Sequence, residues 1–406
     1  MHRDDIAGIA LRVVVAGTCI VCSWQAIRFA RIDWLAADGT FEGLQKAVSM
    51  DPKNAALLAR VPLTRNENGD NSPEVDEEMR QVLRLNPLDS RILIALGLRE
   101  EFHHDSAGAE RELKQAVVVD HQYMPAWTLA GYYVRSDQPD KFWPVVQHLL
   151  LLDPLAVDLR PLFDLCWRET EDPAKIASVL PRRESILVPY LQFLVQTKRI
   201  DAAALLTPSV LAVVERSSTS DRDQLLNLID LLLEKDRTKE AVDVWNQLVD
   251  RGMILNGKLN PRDGESLADP GFQYPLVTRG FAWKLEMPPG IAGRIDGSAR
   301  FELDGNQPEK ILMLSAVAAL MPGRAYRLSW KSDSTRLASP NDPGFILRVG
   351  KLAECHPAQS ASGSCDFEVP AAVDHVPVEL WYERALGTVR AQGVFQLTEV
   401  QLKVHQ

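Results

Sequence analysis

The chain has 406 residues, which is enough for two or three domains. Hydrophobic residues make up 46% and charged residues 25%, values typical of a protein with buried cores rather than of a disordered one. Its formal net charge is −10, and it contains no run of Lys and Arg with interleaved aromatic residues. An acidic chain of this kind repels phosphate backbones. The composition therefore argues against nucleic acid as a partner.

The chain opens with an apolar segment from Ile6 to Ile27, which is 22 residues long. About 20 apolar residues span a bilayer as a helix. Arg12 interrupts the segment, and the uninterrupted part from Val13 to Trp24 has the length of a signal-peptide core. Three interpretations of residues 1–35 stay open: a single-pass anchor, a cleaved signal peptide, and a buried first helix of the next domain. Cations flank the segment about equally (Arg3 and Arg12 before, Arg28 and Arg31 after), so the positive-inside rule leaves its orientation open.

A pattern with a period near 34 residues follows. In each unit an apolar-periodic helix ends at an Asp or Asn, usually followed by Pro, and a second helical pattern begins there. The pairs are Asp51-Pro52, Asn86-Pro87, Asp120-His121 and Asp153-Pro154, spaced by 35, 34 and 33 residues. Because Pro cannot continue a helix but suits the first turn of the next one, the pattern predicts stacked helical hairpins over 36–252.

The turn Asp51-Pro52-Lys53-Asn54-Ala55 resembles the one that closes the second helix of a tetratricopeptide repeat, a family whose repeat length is 34. The family's first-helix pattern persists only weakly, in Ala126 to Tyr133. This resemblance implies an α-solenoid that binds a protein partner on its concave surface. Tyr132 and Arg135 are the candidate partner-binding residues, and a packing role is the alternative for Tyr132.

The sequence changes character after the helical patterns. Residues 253–274 are rich in Gly and Pro, which indicates a linker. Short runs of alternating hydrophobicity then follow to the end of the chain, separated by turn signals such as Asp304-Gly305-Asn306 and Pro340 to Gly344. The runs include 281–285, 299–303, 311–320, 326–330, 345–349, 376–382 and 394–404. They predict an antiparallel β-sandwich over 275–406.

Two stretches of this C-terminal region, from Leu320 to Trp330 and from Leu380 to Arg384, resemble the galactose-binding-like jelly rolls found in carbohydrate-binding modules. Sugar binding requires an exposed aromatic ring and planar polar groups. Trp381 is out of phase with its apolar neighbours and is the candidate glycan-binding ring, with Arg384 and Glu379 as polar contacts. The alternative is a folded spacer that binds nothing small, in which Trp381 is buried.

The remaining chemistry of the sequence is sparse. Cys355 and Cys365 bracket a Gly/Ser-rich loop and are a candidate disulfide, which would indicate an oxidising compartment. Cys19 and Cys22 form a C-x-x-C without a second pair, so no metal site is expected. The sequence contains no nucleophile elbow, zinc-protease, P-loop or dinucleotide motif. We therefore expect no catalytic residue and no cofactor.

Together these patterns predict a multi-domain α plus β protein: an N-terminal transmembrane or signal helix, an α-solenoid, and a C-terminal jelly roll. We expect a non-catalytic adaptor anchored in the inner membrane, with its bulk in the periplasm. Its combination of domains resembles that of bacterial envelope proteins that accompany polysaccharide assembly or export. A protein and a polysaccharide are therefore the expected partners. One rival is a purely structural interaction protein. The other is an enzyme with a polar pocket lined by both the repeats and the sandwich.

Overall fold

The computed structural model describes residues 3–152, 157–338, 344–384 and 386–405, with side chains from Arg12 onward. The chain divides into two compact units, Met1–Ala156 with Asp164–Glu169, and Val157–Phe163 with Thr170–Gln406. The first unit contains helical hairpins, and the second contains further hairpins and the strands.

The helices of the described residues are α1 (Arg3–Ala37), α2 (Phe41–Met50), α3 (Ala55–Glu67), α4 (Pro73–Leu85), α5 (Ser90–Phe102), α6 (Ser106–Val119), α7 (Tyr123–Arg135), α8 (Pro139–Leu151), α9 (Arg160–Glu169), α10 (Pro173–Val179), α11 (Glu184–Gln196), α12 (Ile200–Val213), α13 (Thr219–Glu234) and α14 (Thr238–Asp250). The strands are β1 (Lys284–Leu285), β2 (Ile291–Ile295), β3 (Ala299–Asp304), β4 (Lys310–Ala319), β5 (Ala325–Leu337), β6 (Phe345–Val349), β7 (Ala353–Cys355), β8 (Ser362–Glu368), β9 (His375–Glu383) and β10 (Gln392–Val404).

The first unit is a series of antiparallel helices, α1 to α8, in which each helix packs on the next. The turns predicted at Asp51-Pro52, Asn86-Pro87 and Asp120-His121 lie between α2 and α3, α4 and α5, and α6 and α7, which confirms the helical-repeat prediction. The pair Asp153-Pro154 lies outside the described residues. Polar side chains begin several of these helices, since their oxygens accept hydrogen bonds from otherwise unpaired backbone N–H groups. Asn54, Asp89 and Asp105 act in this way for α3, α5 and α6.

Helix α1 joins the apolar N-terminal segment to the first hairpin without a break. Its last turns place Ile32 and Ala36 in a small core with Ala47 of α2 and Leu57 of α3. Its earlier described residues are almost all exposed. The part from Arg12 to Ala37 is long and apolar enough to cross a membrane, by length and composition. This confirms the prediction of an N-terminal apolar helix.

In the second unit, α11 packs on α12 and α13 on α14. Trp245 of α14 is fully buried and donates from Nε1 to the Gly257 carbonyl over 3.0 Å. Its ring meets the edge of Phe281 at 5.7 Å between centroids. Phe281 was predicted as part of a strand, but only Lys284 and Leu285 of that run pair with β4.

The strands form two five-stranded antiparallel sheets, which confirms the predicted sandwich. One has the order β1-β4-β9-β6-β7 and the other β2-β3-β10-β5-β8. The alternation of the sequence places one face of each strand in a shared core, and Phe301, Tyr326, Phe345 and Phe395 are among its fully buried members. Leu267 and Phe272, from the stretch 253–274 predicted as a linker, also lie in this core.

Strand β8 has no hydrophobic alternation that would predict it. Gly363 pairs with Trp330 of β5, and a methyl group at Gly363 would meet Trp330 Cζ2 at 2.3 Å. Position 363 therefore requires glycine, so a residue that suggests a loop in the sequence is instead required by the close approach of Trp330 to this edge strand.

Candidate functional site

Trp381 lies on the outer face of β9, in the middle of the first sheet. Its register partners are Leu312 on β4 and Ile346 on β6, while the flanking Leu380 and Tyr382 point into the core and are fully buried. The Trp381 ring is half-buried, and its Nε1 donates to Glu379 Oε2 over 2.8 Å. The sheet therefore presents an aromatic ring held in place by a carboxylate.

Two cations flank this ring from the neighbouring strands. Lys310 Nζ and Arg348 Cζ each lie 5.7 Å from the Trp381 ring centroid. Both cations also pair with Glu383, each over 3.1 Å, and the hydrogen bond from Lys310 is the main reason that the pKa of Glu383 lies below its usual range. Glu354, which pairs with Arg348, and Glu379 add two further carboxylates. The surface around Trp381 therefore has no excess of positive charge that would favour an anion as ligand.

Arg384, predicted as a polar contact beside Trp381, has other partners. Its guanidinium donates to the Thr388 carbonyl over 2.6 Å and pairs with Glu309. The structure thus places Glu379 against Trp381 and uses Arg384 to hold the connection that follows β9. Sequence reasoning missed Lys310 and Arg348, since only the strand register places them next to Trp381.

Tyr132 and Arg135, the candidate partner-binding residues, both lie on α7. Tyr132 is fully buried and its hydroxyl donates to the Ser106 carbonyl over 2.9 Å. Arg135 is exposed and forms a two-bond pair with Glu101 of α5, in which both bonds measure 2.8 Å. Glu101 raises the pKa of Arg135, chiefly through this hydrogen bond. The geometry gives Tyr132 a packing position and leaves Arg135 at the surface.

Glu110 on α6 has partners on three helices. It accepts from Lys114 on its own helix and from Lys141 on α8, with N–O distances of 2.6 and 2.7 Å, and from the hydroxyl of Tyr133 on α7 over 3.2 Å. These lysines, Lys114 first, lower the pKa of Glu110 to about 2. The Glu110 carboxylate therefore joins α6 to α8 through an ion pair.

An apolar groove of about 260 Å³ lies over α2, α3 and α4. Its floor is formed by aliphatic side chains, and amide and carboxylate groups line its rim. The aliphatic residues are Val48, Leu58, Val61, Val82 and Leu85, and the polar ones are Gln45, Glu78 and Gln81. Such a groove accommodates apolar side chains of a peptide or helix.

A second, larger cleft of about 680 Å³ lies within the second unit, between α14 and the sandwich. Helix α14 lines one side with residues such as Lys239 and Asp243, and the sandwich lines the other with residues such as Met321 and Asp374. The rival enzyme hypothesis predicts a polar pocket lined by both the repeats and the sandwich. This cleft has lining from both, but apolar side chains such as Val242 and Leu320 make up much of it.

The hydroxyl nearest to a base in this cleft belongs to Thr238, at the start of α14. Its Oγ1 donates to Asp374 Oδ1 over 2.7 Å and lies 2.9 Å from Nδ1 of His375. Asp374 Oδ1 also lies 2.9 Å from the same Nδ1. In an acyl-transfer triad the nucleophile and the carboxylate contact opposite ring nitrogens. Here both contact Nδ1, so the arrangement joins α14 to the sandwich and does not activate Thr238.

Cys355 and Cys365 form a disulfide with 6.6 Å between their Cα atoms. Cys355 ends β7 and Cys365 lies in β8, which are the edge strands of opposite sheets. The bond therefore ties the two sheets together at one side of the sandwich.

No family model matches the chain, and no curated protein matches it. Several solved structures align with part of it. They include YrrB, described as a TPR protein with an unusual peptide-binding site (12% identity, 52% of this chain and 93% of that chain, TM-score 0.27), MamA (14% identity, 48% and 91%, TM-score 0.25) and PilF of Pseudomonas aeruginosa (17% identity, 56% and 92%, TM-score 0.28). At these low scores the similarity carries no argument about function. The description of the chain as a helical repeat rests on its own period and hairpins.

Proposed function

We propose that the chain is a membrane-tethered adaptor without catalytic activity. Helix α1 anchors it, the hairpins of the first unit bind a protein, and the outer sheet face around Trp381 contacts a glycan. The observation that carries the proposal is the double role of α1, which is exposed and apolar along one part and forms the first hairpin with the other.

The packing of α1 bears on the three interpretations of the N-terminal segment. Val13 to Ile27 has no partner within the first unit, which argues against a buried helix, because exposed aliphatic side chains are stabilised only when something covers them. Cleavage soon after Trp24 would leave Ile32 and Ala36 on a short new N-terminus, and helices that short are marginally stable. Both points support an uncleaved anchor.

The anchor is tested by placing charges in the exposed stretch. Ile20→Arg combined with Val21→Arg is expected to move the full chain from the membrane fraction to the soluble fraction, because arginine is costly at the bilayer centre. Trp34→Arg is the matched control, since Trp34 is equally exposed on the same helix but lies beyond the apolar stretch. Intact mass measures whether residues 1–35 are retained. A soluble wild-type chain, or a mature chain that lacks this segment, would refute the anchor.

The disulfide supports an extracytoplasmic location for the sandwich. Disulfides persist in oxidising compartments, so the bond between Cys355 and Cys365 supports a periplasmic or otherwise extracytoplasmic sandwich. A periplasm-active reporter fused after the C-terminal residue is expected to be active, and an inactive reporter would place the sandwich on the cytoplasmic side.

The protein partner is assigned to the groove over α2, α3 and α4. A photo-crosslinking residue at Gln81, on the groove rim, is expected to capture a partner. The same residue at Gln115, which stands 34 positions later on the exposed surface of α6, is expected not to. Val61→Lys places a charge in the groove and should abolish the Gln81 adduct. Equal adducts at both positions, or an adduct that survives Val61→Lys, would remove the groove from the proposal.

The glycan contact rests on Trp381 and its paired charges. Binding of neutral polysaccharides by the full chain in detergent is expected to be lost in Trp381→Ala and retained in Tyr274→Ala, which removes another partly exposed ring of the same unit. If wild-type protein binds no polysaccharide, the sandwich is an interaction domain without a small ligand, as the structural rival holds.

A further inference from the structure

The alternation of the helices in the first unit creates one continuous edge, which we call the turn edge. It consists of the carboxyl ends of α2, α4, α6 and α8 and the three described turns 51–54, 86–89 and 120–122. Along it, a hydrogen bond of 2.7 Å from Ser90 Oγ, at the start of α5, to Asp120 Oδ2 links the beginning of one helix to the next turn. The opposite edge carries the turns after α1, α3, α5 and α7.

Helix α1 leaves the first unit through the turn edge. Because α1 is antiparallel to α2, the residue of α1 that lies beside the end of α2 is Arg28, whose guanidinium donates to the Met50 carbonyl. The helical residues 3–27 extend past that level. Trp24, one helical turn earlier, is exposed and has the Arg28 guanidinium 5.9 Å from its ring centroid. A Trp and an Arg that end an apolar helix are the pair that marks a membrane interface.

The exposed apolar side chains of the first unit gather at the same edge. Beyond α1, five of its seven large exposed apolar residues among the described positions lie at or next to the turn edge, and two lie towards the opposite edge. Those of the turn edge are Leu85, Leu88, Val118, Met124 and Leu151, and the other two are Leu98 and Phe102.

The opposite edge carries the excess of negative charge. At the turn edge the cations Lys53, Arg84 and Arg91 are balanced by the turn carboxylates Asp51, Asp89 and Asp120. At the opposite edge the carboxylates outnumber the cations: the carboxylates are Asp38, Glu67, Asp70, Asp105 and Asp137, and the cations are Arg65, Arg99 and Arg135. Because carboxylates are repelled by anionic headgroups, the balanced turn edge is the better of the two to face a membrane.

We propose that the turn edge rests on the bilayer surface, with Leu88, Val118 and Met124 inserted among the lipid headgroups. This inference rests on the proposed anchoring by α1. The continuity of α1 with that edge is the reason to assign the exposed residues to lipid, since the bilayer that surrounds the apolar stretch must begin where Trp24 and Arg28 lie. The first unit is thereby held in one orientation, with its acidic edge pointing away from the membrane.

The test uses environment-sensitive labels on the full chain in vesicles of phosphatidylcholine and phosphatidylglycerol. In a background with Cys19→Ser and Cys22→Ser, a fluorophore is attached through Ile20→Cys, Leu88→Cys or Phe102→Cys, one at a time. Leu88 and Phe102 are matched controls, because they are 67% and 65% exposed on opposite edges. Cys166 is buried and the remaining two cysteines are bonded to each other. Lipids that carry a nitroxide near the headgroup or deep in the acyl chain serve as quenchers.

We expect lipid with a deep nitroxide to quench the label at position 20. Lipid with a headgroup nitroxide should quench the label at position 88 at least threefold more than the label at position 102. Aqueous iodide should quench the label at position 102 more than the label at position 88. Quenching at 20 with equal, weak quenching at 88 and 102 would overturn the inference and leave the anchor standing. If the label at position 88 is protected from iodide but is not quenched by lipid, the turn edge contacts a second copy of the chain, and the inference is also overturned. An unquenched label at 20 would refute the anchor, and the inference with it.

Discussion

The disulfide between Cys355 and Cys365 allows a quantitative prediction, because it joins two sheets over a sequence separation of only 10 residues. In the chain-entropy model, opening a loop of that size lowers the free energy of unfolding by about 3 kcal/mol. Cys355 is buried in the sandwich core, so substitution also removes packing. For a folding unit of this size, about 3 kcal/mol corresponds to a fall in Tm of roughly 6–12 °C.

Calorimetry of the full chain in detergent, with and without dithiothreitol, measures this effect on the second unit. The double variant Cys355→Ala and Cys365→Ala should melt somewhat below the reduced wild type, because it also loses the packing of Cys355, and it should not respond to dithiothreitol. Native alkylation provides a count of thiols, in which Cys166 stays unlabelled because burial raises its pKa to about 12. If the oxidised and reduced chains melt within about 1 °C of each other, or if native alkylation labels Cys355 and Cys365, the inference that this bond constrains the sandwich is refuted.

Three further predictions concern the helices. The Arg99 side chain is 5% exposed and donates to Asp76 and to two backbone carbonyls. Arg99→Met should lower the unfolding free energy measured in urea by about 3–5 kcal/mol, because it leaves the buried Asp76 carboxylate unpaired. Arg84→Met, which removes an exposed arginine whose partner Glu77 is also exposed, should cost under about 1 kcal/mol, and equal losses would contradict the argument. Glu110→Gln should lower stability by about 1 kcal/mol at neutral pH. The folded pKa of Glu110 is lowered from 4.5 to about 2, so the difference in unfolding free energy between variant and wild type should persist above pH 4.5 and vanish as the pH falls towards 2. A difference that does not change with pH would refute the charge effect. Thr238→Val should cost about 1 kcal/mol by removing one hydrogen bond from Asp374, which keeps its contact with His375, and an unchanged midpoint in calorimetry would show that this joint contributes nothing.

The features that the sequence predicts well are those set by neighbouring residues. The 34-residue period and the Asp-Pro turns describe hairpins because a proline stops one helix and begins the next within a few positions. The alternation around Tyr326 and Val378 predicts strands because successive side chains point to opposite faces. Even so, β8 escaped prediction, since Gly363 is required by the ring of Trp330 on another strand.

The tertiary structure decided what surrounds the candidate residues. Trp381 was identified by its phase on one strand, but Lys310 and Arg348 come to it only through the register of two other strands. The sequence by itself determined that an apolar helix, a helical repeat and a sandwich follow one another along the chain. Only the packing of α1 against α2 showed that the apolar helix is also the first helix of the repeat, because that contact depends on which residues meet after the chain has folded back on itself.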